Sequence, residues 1–386
     1  MIPSPPVPFP APDPGLAAAL LRGEGDLGGL FAEARRRRDE GKGRVLTFSR
    51  KVFIPFTTLC RDQCAYCAFA RPPGVDGRYL EPEEALAVAA AGEAAFCTEA
   101  LLTSGDRPEA RWPAAREFLA AHGCAGTVEY AARVAELIVG GTALFPHANL
   151  GVMEEGEVAA LRRWCPSMGL MLESISSRLM EPGRPHHASP NKDPTRRLAT
   201  LRAMAAGRVP ATTGILVGIG ETVEELAESI FALAALAAET GAIQEVIVQN
   251  FRAKAGTPMA EWPESTPEYL ARVVAVARWV LGPGMNLQVP PNLTDRFEVY
   301  LDAGVNDWGG VSPLTPDWVN PEAPWPHLDE LRARTEGAGF RLVPRLPVYP
   351  EYLTEEWIDS GLFPRLRAAA DDAGYARPAP QEGPAR

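Results

Sequence analysis

Short apolar runs alternate with longer amphipathic stretches along most of the chain. Eight runs, several of them rich in β-branched residues, predict strands at 45–56, 100–103, 142–145, 169–173, 212–217, 245–249, 286–289 and 305–308. The stretches between them have apolar residues at helical spacing and predict helices at 81–96, 127–139, 156–164, 194–206, 222–240 and 267–281. Eight strand–helix units close a (β/α)8 barrel, so the predicted fold class is α/β, a barrel of the TIM type. Periodicity does not show closure, and an open doubly wound sheet stays the alternative.

The two ends of the chain differ from the repeating middle. Residues 1–43 predict a Pro-rich arm followed by a helical extension, whose pattern is broken by glycines near 23–29. Residues 44–340 hold the barrel pattern, and 341–376 predict a C-terminal extension. The tail at 377–386 is rich in Pro and polar residues, a composition typical of disorder.

The charge balance narrows the classes of partner. The chain has 38 Lys and Arg residues against 49 Asp and Glu residues, a net charge of −11. Nucleic-acid binding needs a positive field, so we expect no nucleic-acid partner. No apolar run approaches the length of a membrane span, and the first residues lack the basic segment of a secretory signal. We therefore expect a cytoplasmic protein with no membrane partner.

Three of the six cysteines lie within eight positions, just after the first predicted strand. Cys60, Cys64 and Cys67 have the spacing C-x3-C-x2-C, and three thiolates on one loop can bind three irons of a [4Fe–4S] cluster. The fourth iron would then be open to another ligand. The alternatives are a zinc site, which needs a fourth ligand from the scattered cysteines, and a redox C-x2-C pair.

The cysteine spacing, with the aromatic Tyr66 directly before the last cysteine, resembles that of the radical S-adenosylmethionine superfamily. The resemblance implies that S-adenosylmethionine chelates the open iron, and that the reduced cluster cleaves it to a 5′-deoxyadenosyl radical. It also implies cofactor contacts at the ends of three predicted strands. Those residues are Ser104, Gly105, Asp106, Glu173 and Gly218, together with Tyr66 beside the cluster.

Polar residues near the ends of other predicted strands are the candidates for substrate chemistry, since ligands collect at the carboxyl ends of parallel strands. His147 and Asp307 are the candidate catalytic residues. Four further residues are candidate substrate contacts: Gln249, Asn292, Asn306 and Trp308. Such a lining suits a planar, polyhydroxylated small molecule, and the alternative for each residue taken alone is a structural role.

Residues 51–352 resemble one branch of that superfamily more closely, the cyclising subunit of 7,8-didemethyl-8-hydroxy-5-deazariboflavin (FO) synthases in coenzyme F420 biosynthesis. The stretches that carry this resemblance are 60–69, 104–109, 145–149, 170–174, 288–293, 306–310 and 320–325. The resemblance implies a carbon–nitrogen lyase that converts 5-amino-5-(4-hydroxybenzyl)-6-(D-ribitylimino)uracil to FO. Ammonia, 5′-deoxyadenosine and methionine are the other products.

The same resemblance implies two partners. A companion radical S-adenosylmethionine subunit makes the substrate adduct from tyrosine and 5-amino-6-ribitylaminouracil, and an electron donor such as ferredoxin or flavodoxin reduces the cluster. With one C-x3-C-x2-C motif, the chain resembles a stand-alone half. Two alternatives stay open: a related radical cyclase of menaquinone (futalosine) biosynthesis, and, from another class, an iron–sulfur electron carrier or a zinc-stabilised binding protein.

Overall fold

Eight parallel strands close into a barrel, and a ninth strand joins it from outside. The computed structural model describes residues 9–378. The sheet order is β2-β3-β4-β5-β6-β7-β8-β1-β9, and β1 also pairs with β2, which closes the ring. The strands are β1 (Val45–Thr57), β2 (Glu99–Ser104), β3 (Phe145–Asn149), β4 (Ser167–Gly169), β5 (Ala211–Val217), β6 (Ile243–Asn250), β7 (Asn286–Gln288), β8 (Asp307–Val311) and β9 (Arg341–Arg345). The predicted barrel is confirmed, and the open-sheet alternative is wrong.

Helices surround the barrel and cover the outer faces of its strands. They are α1 (Pro14–Arg22), α2 (Leu27–Lys42), α3 (Pro82–Ala94), α4 (Pro113–Ala121), α5 (Thr127–Gly141), α6 (Glu155–Arg162), α7 (Pro194–Ala206), α8 (Val223–Thr240), α9 (Pro267–Leu281), α10 (Val299–Asp302), α11 (Leu328–Gly337) and α12 (Phe363–Ala369). The six helices predicted between strands are all present. The helices α4, α10, α11 and α12 are additional to those predicted. Within residues 9–378, no helix has both the length and the hydropathy needed to cross a bilayer.

The two helices of the N-terminal region pack on the outside of the barrel. The first, α1, ends at Gly23, which is left-handed at φ +90°, and the Asp26 side chain caps the start of α2. These helices contact α8 and α9. The Trp279 indole of α9 donates to the Pro10 carbonyl oxygen at 2.9 Å, so part of the Pro-rich arm is also bound there. The predicted disordered tail, 377–386, lies almost wholly outside the described residues.

Three strands are displaced from their predicted positions. A strand was expected at 142–145, but α5 continues to Gly141 and the Thr142 hydroxyl donates to the Ile138 carbonyl oxygen at 2.8 Å. Residue 142 therefore ends a helix, and β3 starts at Phe145. Similarly, β4 begins two residues before its predicted start and β8 two residues after. As a consequence, His147 lies inside β3 rather than after it, and Asp307 begins β8 instead of lying near its end.

Side chains along β1 alternate between the lumen of the barrel and the helix-covered face, as strand geometry requires. The outward residues are fully buried and apolar: Phe48, Val52, Ile54 and Phe56. The inward residues are mostly polar: Thr47, Ser49, Lys51 and Phe53. The barrel interior is thus a mixture of polar and apolar groups rather than a purely apolar core.

The predicted C-terminal extension begins with the ninth strand. Residues Val45–Ser49 of β1 pair with β9, whereas the later residues of β1 pair with β2. The short β9 therefore fills the place beside β1 that β2 leaves empty at the amino end of the barrel. At its last position it brings the Arg345 guanidinium into the lumen, where the side chain is buried.

Arg345 forms a buried ion-pair network that closes the floor of the barrel. Its guanidinium lies 2.8 Å from Asp307 Oδ2 and 3.0 Å from Glu245 Oε1. The Tyr349 hydroxyl donates to Glu245 Oε1 at 2.9 Å, and the Thr47 hydroxyl donates to Asp307. Burial raises the pKa of the Glu245 carboxyl. Asp307, predicted as a catalytic residue, lies at the amino end of β8, opposite the end where ligands collect, and holds this network.

We expect Arg345→Ala to lower the free energy of unfolding by about 3–5 kcal/mol, because it leaves two buried carboxyl groups without their cation. Urea unfolding of the purified protein measures this. The matched control is Arg202→Ala, whose partner Glu239 is equally half exposed. That variant should lose less than about 1 kcal/mol. Equal losses in the two variants would show that the floor network does not stabilise the barrel.

Candidate active site

The loop after β1 carries the three clustered cysteines and packs against the turn after β2. The Trp112 indole donates to the Cys60 carbonyl oxygen at 2.8 Å, and the Asp106 amide donates to Cys60 Sγ at 3.2 Å. A Cβ atom on Gly105 would lie 2.0 Å from the Leu59 carbonyl oxygen. Only glycine fits there, so the turn after β2 is shaped to hold the cysteine loop.

The long loop after β4 holds the other side of the cysteine loop. The Tyr66 hydroxyl lies 3.0 Å from His186 Nε2, and the Ala65 amide donates to the Pro185 carbonyl oxygen at 2.9 Å. The His186 side chain is only 1% exposed. Burial lowers the pKa of His186 to about 2, so the ring is neutral at pH 7.

The three clustered cysteines are the candidate ligands of a [4Fe–4S] cluster. All six cysteines are free, and burial raises the pKa of Cys60 and raises that of Cys64 to about 12. Among residues 9–378, no three Cys, His, Asp or Glu side chains form a group that could hold one metal ion. A [4Fe–4S] cluster needs no such convergence, because each thiolate binds a different iron. The remaining cysteines, once candidate zinc ligands, lie in the apolar core: Cys97, Cys124 and Cys165.

A cavity of about 240 Å³, here called the cofactor cavity, opens beside the three cysteines. Five residues of its wall each have a buried polar atom with no hydrogen-bond partner among residues 9–378: Thr103 Oγ1, Ser104 Oγ, Asn250 Oδ1, Arg252 Nε and Asn320 Oδ1. A buried polar group left unpaired costs about 1–3 kcal/mol. A polar ligand that paired these atoms would recover that cost, so the cavity fits a cofactor with hydroxyl and amino groups.

Two carboxylates complete the wall of the cofactor cavity. Asp106 accepts from Arg61 Nε at 3.2 Å and from the Val152 amide at 3.1 Å, and burial raises its pKa to about 6. Glu173, at φ +65°, lies 2.6 Å from Lys192 Nζ and 3.8 Å from the Arg197 guanidinium. Both carboxylates line the cavity, and Glu173 is already paired with the buried Lys192.

Gly218 is not part of this wall. It follows β5 with φ +96°, and its amide donates to Glu221 Oε1 at 2.6 Å. The glycine is required by the turn, since other residues are strained at positive φ. Leu216, two residues earlier, lines the cavity, and the cofactor contact at Gly218 stays a prediction.

A second cavity of about 160 Å³, the luminal cavity, lies within the barrel below the first. The two cavities share five lining residues: Asn149, Met171, Gln249, Val319 and Asn320. Gln249 was predicted as a substrate contact, and it stands where the cavities meet. A molecule in the luminal cavity would therefore have one end beside the cofactor cavity.

His147 lines the luminal cavity. Its Nδ1 lies 2.7 Å from Ser167 Oγ, and that hydroxyl donates to the Pro347 carbonyl oxygen at 2.7 Å. Because the single Ser167 proton is used there, Nδ1 must be the donor and Nε2 carries the lone pair. Burial lowers the pKa of His147 to about 4, so the ring is neutral at pH 7. His147 thus offers an acceptor in the lumen.

The other predicted substrate contacts hold the structure around the cavities. The Asn292 amide donates to Asp317 Oδ2 and to the Ala323 carbonyl oxygen, which fixes the loop after β8. Asn306 accepts from the Arg278 guanidinium at 2.6 Å, behind the barrel wall. Trp308 borders the luminal cavity, but its indole donates to Thr335 of α11. Asn292 and Asn306 line neither cavity, whereas Trp308 lines the luminal cavity, where its contact with substrate stays a prediction.

Sequence reasoning missed the charged residues of the lumen, among them Lys51 and Glu99. Each is buried and lines the luminal cavity. Lys51 Nζ lies 4.6 Å from the centroid of the Trp325 ring, and burial lowers its pKa. The alternation of side chains along β1 was the available signal. It places Lys51 on the same face as Thr47 and Ser49, opposite the apolar outward residues.

Known proteins agree with this geometry. Residues 54–233 match the model of the Radical SAM superfamily. The solved structures of methylornithine synthase and of the FeFe-hydrogenase maturase HydG from Carboxydothermus hydrogenoformans share the fold, each at 18% identity, with TM-scores of 0.68 and 0.70. The first covers 86% of this chain and 94% of that one, and the second 93% and 86%.

Three curated relatives are much more similar in sequence. FO synthase of Streptomyces coelicolor is 49% identical over 95% of this chain, and that of Mycobacterium tuberculosis is 49% identical over 94%. The chain spans only 44% and 45% of those two proteins. The 7,8-didemethyl-8-hydroxy-5-deazariboflavin synthase of Methanopyrus kandleri is 48% identical over 86% of this chain and 100% of its own length. The chain therefore belongs to the radical SAM superfamily and, within it, to the 7,8-didemethyl-8-hydroxy-5-deazariboflavin synthase family.

Proposed function

We propose that the chain is the radical S-adenosylmethionine lyase that forms the deazaflavin ring. It converts 5-amino-5-(4-hydroxybenzyl)-6-(D-ribitylimino)uracil to FO and releases ammonia, 5′-deoxyadenosine and methionine. The observation that carries this proposal is the junction of the cofactor cavity with the luminal cavity at Asn149, Gln249 and Asn320. That junction lies in a chain 48% identical to the full-length Methanopyrus kandleri enzyme.

Cys60, Cys64 and Cys67 would hold a [4Fe–4S] cluster, and the cofactor cavity would hold S-adenosylmethionine. Together these groups supply one-electron chemistry that removes a hydrogen atom from an unactivated carbon. The chain's own residues provide the surroundings. Thr103, Ser104 and Asn250 offer unpaired polar atoms to the cofactor, and Tyr66 is fixed by His186 beside the cysteines.

On the substrate side, the residues at the junction would orient the adduct. The side chains of Asn149 and Gln249 can each donate and accept, which matches the alternating carbonyl and N–H groups of a pyrimidinedione edge. The loop after β8 places Val319 and Asn320 over the lumen and Trp325 against Lys51. This cover excludes water from the reacting carbon. A catalytic role for His147 stays a prediction, since the ring lies deeper in the lumen than Asn149.

Two partners follow from the proposal. The Streptomyces coelicolor FO synthase is more than twice as long as its matched region, which leaves room for a second activity in that chain. We propose that a companion radical subunit supplies the adduct to the present chain, and that ferredoxin or flavodoxin supplies electrons. A menaquinone cyclase is not favoured, because the relatives at 48–49% identity carry FO synthase names.

The proposed reaction is tested by supplying substrates separately. After anaerobic reconstitution with iron and sulfide, the protein should convert the hydroxybenzyl adduct to a fluorescent deazaflavin, with release of ammonia and 5′-deoxyadenosine. Tyrosine plus 5-amino-6-ribitylaminouracil should give no product until the companion subunit is added. Turnover of a futalosine-type substrate, with none of the adduct, would replace the proposal by the menaquinone alternative.

Each clustered cysteine should be required for the iron–sulfur centre, because losing one thiolate leaves an iron without a protein ligand. We expect Cys64→Ala to bind little iron, to lack the brown cluster absorbance and to form no 5′-deoxyadenosine. The control is Cys124→Ala, which changes a cysteine outside the loop and should behave as wild type. Full iron content in Cys64→Ala would contradict the assignment.

The unpaired hydroxyl of Thr103 should serve the cofactor rather than the fold. We expect Thr103→Val to weaken S-adenosylmethionine binding about two- to tenfold, the worth of one hydrogen bond. Without ligand, its free energy of unfolding should be equal to or above that of wild type. The matched control is Thr213→Val, which removes an equally unpaired buried hydroxyl from a residue that does not line the cavity. Calorimetry should show an unchanged dissociation constant for that control, and equal constants in both variants would remove Thr103 from the site.

A further inference from the structure

The deep end of the luminal cavity has its own polar lining. Four residues line this end, and we call them the luminal subsite: Lys51, Glu99, His147 and Gln288. Lys51 of β1 pairs in register with Glu99 of β2. His147 of β3 pairs with Leu101, which lies two residues after Glu99 and therefore nearer the cofactor cavity. Glu99 lies four residues before Thr103 on β2, a rise of about 13 Å at 3.3 Å per residue. The subsite therefore contacts a part of the ligand far from the reacting carbon.

The subsite offers both donors and acceptors to that part. Ser49 donates to Glu99 Oε2 at 2.5 Å, and no described side chain donates to Glu99 Oε1. His147 Nε2 carries a lone pair, as its bond to Ser167 requires. The Lys51 ammonium offers donors, and the Gln288 amide offers a donor and an acceptor. A ligand with several hydroxyl groups can pair with all four, since each hydroxyl donates and accepts.

The charges in the lumen favour neutral hydroxyls over an anionic group. The charged residues that line the luminal cavity are three carboxylates, Glu99, Glu245 and Asp317, and two cations, Lys51 and Arg345. The Arg345 guanidinium is already paired with Glu245 and Asp307. A phosphate would enter a cavity without excess positive charge and would lie near carboxylates, which is unfavourable at low dielectric. An uncharged chain meets no such repulsion.

We propose that the luminal subsite binds an acyclic polyhydroxyl chain that extends from the substrate's ring. This inference rests on the proposed function, in which that chain is the ribityl group of the adduct. The ring would then lie at the junction of the two cavities, beside Asn149 and Gln249, with the hydroxyls directed towards the floor of the barrel. The subsite acts in specificity and positioning, not in the chemical step.

The experiment compares two adducts, one with the ribityl chain and one with a methyl group in its place. Calorimetry measures the binding of each to the reconstituted full chain, and kcat/KM is measured alongside. Wild type should bind the ribityl adduct more tightly by at least about tenfold, the worth of one hydrogen bond to a charged group. Glu99→Gln and Gln288→Leu should each reduce that preference several-fold while binding the methyl adduct as wild type does. The exposed control Glu239→Gln should retain the full preference.

The outcomes separate the subsite from the proposed function. If wild type binds and converts both adducts equally well, the subsite is wrong and the proposed function stands. If wild type converts neither adduct, the proposed function fails. If one variant does not fold, its affinity for the methyl adduct will be lost as well, and the other variant then decides. An undiminished ribityl preference in the folded variants would overturn the assignment of these residues.

Discussion

The pairing of β1 with β2 is the contact on which both the barrel and its site depend. This pairing closes the ring of strands, and it also places the loop after β1 beside the turn after β2. The approach is so close that a side chain at Gly105 would collide with the Leu59 carbonyl oxygen. Barrel closure and the position of the cysteines are therefore a single structural event. An open sheet would separate the two loops and leave the thiols without the wall that faces them.

The polar lumen imposes a second constraint, since buried charges must be paired. The barrel satisfies this constraint in different ways at two depths of the lumen. At the floor, Arg345 is satisfied by Asp307 and Glu245, and this network seals the amino end. Above the floor, Lys51 and Glu99 line a cavity that a ligand can enter. The C-terminal segment is thus part of the barrel rather than an appendage, because β9 supplies the cation that the floor carboxylates need.

The two cavities divide the proposed chemistry between them. The cofactor cavity lies beside the three cysteines and contains unpaired polar atoms, whereas the luminal cavity offers charged and amide groups at increasing depth. Five residues line both cavities, so the part of a substrate that lies among them comes nearest the cofactor. This arrangement separates the groups that recognise the substrate from those that surround the reacting atoms.

The sequence by itself determined the barrel, the six long helices between strands and the cysteine loop. Each depends on local information: periodicity, the spacing of three thiols and a turn with glycine. The sequence also placed Ser104, Gly105 and Asp106 at the carboxyl end of β2, and Glu173 in the loop after β4, beside the same cavity. Only the tertiary structure decided the rest. A two-residue shift of β8 moved Asp307 to the floor, and only the closed barrel shows that Lys51, Glu99 and His147 meet in one lumen. Contacts between residues distant in the chain depend on strand register, and a register cannot be read from one strand alone.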